Sequence, residues 1–264
     1  MEALALIIPA RMGATRLPHK PLAEIGDLPL VVRTAQLGLK FLNSLPQNKY
    51  KTVLAVATDH QDIFDVCQQH GITAVMTDPD LPSGSDRVLA AADILQQDQG
   101  FEADLLLNLQ GDEPFLPLDC LNAILALVAQ QPQGDLYTAA TQYDAAKHTS
   151  LFEDPNAVKV VCDQRQAALY FSRSPIPHPR DGQTAFTFLK HLGVYLWRKD
   201  ALRQFVANPP TPLEQIEKLE QLRAIHFGLK IMVAQGNWHS IDINTRSDLQ
   251  QAENHLNRIQ DHQE

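Results

Sequence analysis

No apolar run in this sequence approaches the roughly 18 residues a membrane-crossing helix needs, so no membrane insertion is expected. The N-terminus lacks a basic segment followed by an apolar core and a small-residue cleavage site, so a secretion signal is not expected and a cytoplasmic protein is. Cysteine is scarce: Cys67, Cys120 and Cys162 are widely spaced with no C-x-x-C, which argues for reduced thiols and against a disulfide frame or a zinc site. Positive charge is in deficit, with 22 Lys and Arg against 31 Asp and Glu and a net charge of −9. That balance argues against bulk nucleic-acid binding, which is driven by phosphate neutralisation. Two nucleotide signatures are also missing, G-x-x-x-x-G-K-[ST] and G-x-G-x-x-G, which disfavours P-loop enzymes and dinucleotide oxidoreductases.

An acidic protein that binds an anion must gather its cations locally. The opening stretch does this. Residues 4–8 (LALII) read as a buried parallel strand stopped by Pro9, and the loop after it carries Arg11, Arg16, His19 and Lys20. Such a loop at the carboxyl edge of a sheet suits a polyanion such as a nucleoside triphosphate. Arginine forks match phosphate oxygens, lysine acts as a point charge, and Gly13 permits close backbone approach. The competing reading is a solvated basic loop.

Further along, apolar periodicity predicts a helix over 29–42, a strand over 52–57 and a helix over 61–69 capped by Thr58-Asp59. A strand over 72–76, a helix over 85–97 and a continuous apolar strand over 104–109 follow. Alternating strands and helices imply a parallel sheet with crossover helices, an α/β fold. Near Tyr143 the rhythm changes to antiparallel strands over 156–162 and 167–173, a strand over 189–197 and a helix near 213–226. The expected organisation is a nucleotide-binding α/β core over residues 1–142 and 228–264, with a mixed-strand insertion over 143–227. His60, His70 and His148 are read as surface residues.

Three further groups can carry chemistry. Ser83-Gly84-Ser85-Asp86-Arg87 offers backbone N–H groups and hydroxyls at a helix start, although Ser-x-x-Asp also simply caps helices. Gln110-Gly111-Asp112-Glu113-Pro114 ends the most hydrophobic strand, where a carboxylate could hold Mg²⁺ against nucleotide phosphates, with Asp242 as a second carboxylate. In the insertion, Arg173 ends a strand and two-residue alternation puts His191, Gly193 and Tyr195 on one face of the next. With Glu220 and Gln221 they suit an acidic, polyhydroxylated ligand.

Together these segments resemble the CMP-Kdo synthetases (3-deoxy-manno-octulosonate cytidylyltransferases). The matching stretches include IIPARMGATRLPHKPL, SGSDR, LNLQGDEPFLP, ALYFSRSPIP, KHLGVYLWR and PTPLEQIEKLEQLR, in the family's order over nearly the whole chain. The resemblance implies a Rossmann-like nucleotidyltransferase core, a dimerisation and sugar-binding insertion, and a homodimer. It implies that CTP and Kdo are coupled, with Mg²⁺, to CMP-Kdo and pyrophosphate for lipopolysaccharide biosynthesis. Arg11, Lys20 and Asp112 are implied as catalytic, with Ala10 and Arg16 also on the nucleotide. Ser83, Gly84, Ser85, Asp86, Arg87 and Gln110 are implied to recognise it further. Asp112 and Asp242 are implied as metal ligands, and Arg173, His191, Tyr195, Glu220 and Gln221 as the sugar pocket. Two departures stand out: Leu81 and Ser85 replace the family's usual His and Thr, and residues 240–249 (SIDINTRSDL) resemble the version in CMP-sialate synthetases, with Asn244 as a possible metal partner. The alternatives are activation of another ulosonic acid, an amino-Kdo or sialic type, and a non-catalytic nucleotide-binding module.

Overall fold

A computed structural model describes residues 1–13, 16–183 and 185–261, with side chains described to residue 258. Ala14 and Thr15 of the basic loop, Thr184 and the side chains of residues 259–261 at the end of the last helix lie outside that description. The chain forms two compact units, Met1–Leu118 with Ser240–Glu264, and Asp119–His239. No described helix is long and apolar enough to cross a membrane.

The first unit is built on β1 (Glu2–Ala10), whose residues Leu4 to Ile8 are completely buried. After it come a 3-10 turn at Lys20–Leu22 and a short hairpin of β2 (Glu24–Ile25) and β3 (Leu28–Pro29). Helix α1 (Leu30–Ser44) then leads to β4 (Tyr50–Thr58), α2 (Gln61–Gln69), β5 (Ala74–Met76), α3 (Gly84–Gln99) and β6 (Leu105–Asn108). The sheet order in this unit is β6-β1-β4-β5, every pairing parallel, with Leu6 opposite both Leu54 and Leu107. Strands covered on both faces read as continuous apolar runs, which is why the α/β expectation was legible in residues 4–8 and 104–109.

Two local expectations are corrected. Pro9 does not stop β1: it lies inside the strand, opposite Ala57. The β6 pairing ends at Ile7–Asn108, so no ladder bond on that side asks for the N–H that proline lacks. The α2 cap is not Thr58-Asp59 but His60, whose Nδ1 accepts from the Asp62 N–H at 3.2 Å. Thr58 is the last residue of β4 and its hydroxyl instead accepts from the His60 N–H.

The second unit comprises α4 (Leu118–Gln130), β7 (Leu136–Asp144), α5 (Thr149–Glu153), β8 (Lys159–Cys162), β9 (Ala168–Ser172) and β10 (Thr187–Arg198). After these come α6 (Lys199–Ala207), α7 (Pro212–Glu217), α8 (Gln221–His226) and β11 (Ile231–Gly236). Here the pairing is mixed: β7 is antiparallel to β10 and parallel to β11, while β8 is antiparallel to both β10 and β9. The helix expected near 213–226 is two helices, broken where Lys218 adopts a left-handed conformation with φ 54°. The chain then returns to the first unit and ends in α9 (Arg246–Asp261).

Candidate active site

At the carboxyl end of β1 lies a cleft of about 350 Å³, a volume in the range of small-ligand sites. Its walls are Pro9, Ala10 and Arg11 at the strand end, Arg16 and Lys20 from the loop, and Gln110, Asp112 and Asn244 from two other segments. Gly111 makes the approach possible, since a Cβ there would sit 3.1 Å from the Pro9 carbonyl oxygen. Behind it the buried Thr34 hydroxyl lies 3.1 Å from the Gly111 carbonyl, tying α1 to the Asp112 loop.

The loop is anchored by Leu17, which is buried against Ile25, Leu30, Ile243 and Ala252, while Arg11 and Arg16 stay exposed. Lys20 Nζ donates to Asp112 Oδ2 at 2.7 Å and to Asn244 Oδ1 at 3.3 Å, and Arg16 donates to the same Asn244 oxygen at 3.3 Å. Asn244 is held in turn by a capping box. Asp248 accepts from the Asn244 and Thr245 N–H groups, and the Thr245 hydroxyl accepts from the Asp248 N–H at the start of α9. The Ile243 N–H donates to the Asp112 carbonyl at 3.0 Å, which brings the 240–244 segment alongside.

Glu113 is not distinguished within its motif by the sequence alone. It is 4% exposed, accepts a short hydrogen bond from the Ser240 hydroxyl and lies beside Asp242 and Asp112. Burial, and then the neighbouring Asp242, push its carboxyl well above the usual range. Asp112 and Asp242 thus each lie near Glu113, Asp112 on the cleft wall and Asp242 exposed. Among the described residues no group of three or more His, Cys, Asp or Glu forms a metal cage. Asp112 on the cleft wall still fits Mg²⁺, which is usually held by one or two carboxylates plus substrate oxygens.

The 83–87 segment makes the helix cap that its Ser-x-x-Asp pattern allows. Ser83 caps α3, accepting from the Asp86 N–H and donating its hydroxyl to the Asp86 carboxylate. Arg87 is 3% exposed and points inward, bonded to Thr77 and, at 2.7 Å, to Asp59. Asp59, which the sequence presents only as part of a helix cap, is thus the charge partner of Arg87. The Gln110 amide turns back to Asn108 at 3.0 Å.

In the second unit, the guanidinium of Arg173 donates to the Glu217 carbonyl at 2.6 Å, the Pro155 carbonyl at 2.9 Å and the Lys218 carbonyl at 3.4 Å. It thus braces the break between α7 and α8, just before Glu220 and Gln221, and these bonds use three of its five N–H groups. Buried Lys159 supports the same corner by donating to the Arg173 carbonyl at 2.7 Å. Gln221 is 4% exposed, and its Nε2 has no hydrogen-bond partner among the described residues. A buried amide donor left open in this way awaits an acceptor.

His191 packs edge-on against Phe171 of β9, and its ring lies 5.5 Å from that of Tyr195. The alternation expected along β10 is interrupted, since Leu192 faces Ala139 but Tyr195 faces Thr138. The irregularity absorbs two residues, an even number, so His191 and Tyr195 keep a common face while Gly193 and Val194 drop out of the pairing with β7. His191 Nε2 lies 2.9 Å from Thr138 Oγ1, and burial pulls the imidazole down to a pKa of about 3.

Comparison with known proteins places this arrangement. Residues 5–231 match the cytidylyltransferase family model. A 3-deoxy-manno-octulosonate cytidylyltransferase from Polynucleobacter asymbioticus is 40% identical over 230 residues, covering 86% of this chain and 85% of its own. One from Gemmatimonas aurantiaca is 41% identical over 261 residues, covering 97% and 94%. Among solved structures, a CMP:2-keto-3-deoxy-manno-octonic acid synthetase complexed with CTP superimposes with a TM-score of 0.84 at 33% identity, covering 98% of this chain and 99% of that one.

Proposed function

The chain belongs to the 3-deoxy-manno-octulosonate cytidylyltransferase family, and from that premise we propose that it couples CTP and Kdo to give CMP-Kdo and pyrophosphate. The observation that carries this reading is the cleft at the end of β1, where Arg16 and Lys20 meet Asp112 and Asn244. Cations and a carboxylate side by side suit a nucleoside triphosphate carried with a divalent metal, whereas a solvated basic loop would not be held by them.

In this reading the anomeric hydroxyl of Kdo attacks the α-phosphorus of CTP and pyrophosphate leaves. Phosphoryl-type transfer asks the protein mainly for alignment and charge neutralisation. Arg11, Arg16 and Lys20 would hold the triphosphate, and Lys20 and Arg16 would stabilise the departing pyrophosphate. Asp112 and Asp242 would hold Mg²⁺, which would neutralise phosphate charge and make the attacking hydroxyl more acidic. A protonated Glu113 would keep a third negative charge away from that pair. Ser83, Gly84 and Ser85 would present the start of α3 to the nucleotide, while Arg87 would fix their position through Asp59. Arg173 and Gln221 would bind the sugar carboxylate and an oxygen, with His191, Tyr195 and Glu220 on hydroxyls. The enzyme would work as a cytoplasmic homodimer supplying lipopolysaccharide biosynthesis.

Pyrophosphate release from CTP and Mg²⁺ with a panel of acids tests the reading. Kdo should support the fastest release. Release only with an amino-Kdo or a sialic acid would reassign the substrate, which the sialate-like 240–249 segment keeps in the panel. No release with any acid would leave only a nucleotide-binding module.

A further inference from the structure

Thr138 lies on β7, completely buried, and its hydroxyl meets three groups. His191 Nε2 is 2.9 Å away, the Val194 carbonyl 2.7 Å and the Leu192 carbonyl 3.3 Å. A threonine hydroxyl has one proton to donate, and carbonyl oxygens can only accept. The Val194 carbonyl is the close contact, and Val194 is one of the two residues that the irregularity in β10 removes from pairing with β7. Were the proton aimed at the imidazole instead, two oxygens would face each other at 2.7 Å with no hydrogen between them, an unfavourable contact in a buried site. The proton therefore belongs to Val194.

That assignment fixes the ring. With its proton committed, Thr138 Oγ1 turns a lone pair towards Nε2, so Nε2 carries the hydrogen and donates. A neutral imidazole has one N–H, and burial keeps His191 neutral. Nδ1 is then an acceptor, and it has no hydrogen-bond partner among the described residues. We propose that Thr138 is a positioning residue for substrate recognition: it locks His191 as the Nε2–H tautomer, so that Nδ1 accepts a hydrogen bond from a hydroxyl of the acid sugar. This rests on the sugar-pocket reading above. It makes the position selective for a hydroxyl, because an analogue with hydrogen there leaves the acceptor unpaired.

The test has two arms. In a ¹⁵N-histidine sample, with the His191 signals identified by their loss in His191→Gln, long-range ¹H–¹⁵N correlations should show a protonated Nε2 and an unprotonated Nδ1. Thr138→Val, which keeps the shape and removes the hydroxyl, should lose that single-tautomer pattern and raise the KM for the sugar about tenfold, the loss of one hydrogen bond. The KM for CTP should hardly move, and Thr138→Ser should restore both readouts. A wild-type Nδ1–H tautomer overturns the proposal even if Thr138→Val does not fold, and so does a folded Thr138→Val with unchanged sugar KM. If the wild-type spectrum shows Nε2–H but no acid supports pyrophosphate release, the functional reading fails and the role in sugar binding fails with it, while the tautomer assignment stands.

Discussion

The buried imidazole that Thr138 holds also has a thermodynamic signature. In the unfolded chain His191 should titrate near its ordinary value of 6.5, whereas in the folded protein burial lowers it to about 3. Between those values the unfolded state binds more protons than the native state, so stability rises with pH across this window and is lost as pH falls from about 6.5 towards 3. From the two values, acidification from pH 7 to pH 5 should cost the native state about 2 kcal/mol through this one residue. Urea unfolding of the wild type and His191→Gln at several pH values in that range isolates the effect, because the remaining histidines are common to both. The variant should start lower at neutral pH, having lost its bond to Thr138, yet lose about 2 kcal/mol less on acidification. Parallel stability curves would refute the reasoning, since they would mean that the native imidazole protonates as easily as the unfolded one.

Asp112→Asn should lower turnover by on the order of 100-fold or more, and chelation followed by Mg²⁺ should abolish and restore pyrophosphate release; near-normal turnover in the variant would remove Asp112 from the metal. Asp59→Ala leaves Arg87 buried without its charge partner and should cost about 3 kcal/mol, read as a drop in Tm of about 6–12 °C. An unchanged melting curve would show that the pair holds nothing in place. Thr245→Val removes one half of the α9 capping box and should cost about 1 kcal/mol. Because Asn244 depends on that box, the KM for CTP should rise while kcat changes little; the reverse pattern would exclude Asn244 as a support for the loop cations.

The architecture was legible where the physics is local. Residues 4–8 and 104–109 are uninterrupted apolar runs because both faces of their strands are covered, and 61–69 has the period of a one-sided helix. What escaped depends on partners distant in sequence. Pro9 reads as a strand terminator until the missing β6 neighbour is seen, and while an imidazole caps α2, Asp59 pairs instead with Arg87, 28 residues away. The helix near 213–226 has an unbroken helical pattern, yet it breaks at Lys218, beside the carbonyls that Arg173 gathers. Glu113 was visible as one acid in a short motif, but its burial against Ser240 and Asp242 is not written in its neighbours. Thr138 carried no signal at all: a threonine in a strand is ordinary until its hydroxyl is found between a carbonyl and an imidazole.

The tie between Asn244 and the opening loop has a consequence for the order of synthesis. Lys20 and Arg16 leave the ribosome early, but their shared acceptor lies 224 and 228 residues later. The unit that holds the cleft is discontinuous, interrupted by the whole of Asp119–His239, so its last wall is translated on the order of ten seconds after β6. During that interval the strands of the first unit can pair while their basic loop still lacks Asn244. Nascent chains stalled before residue 240 should therefore carry a parallel sheet whose cleft still lacks its last wall.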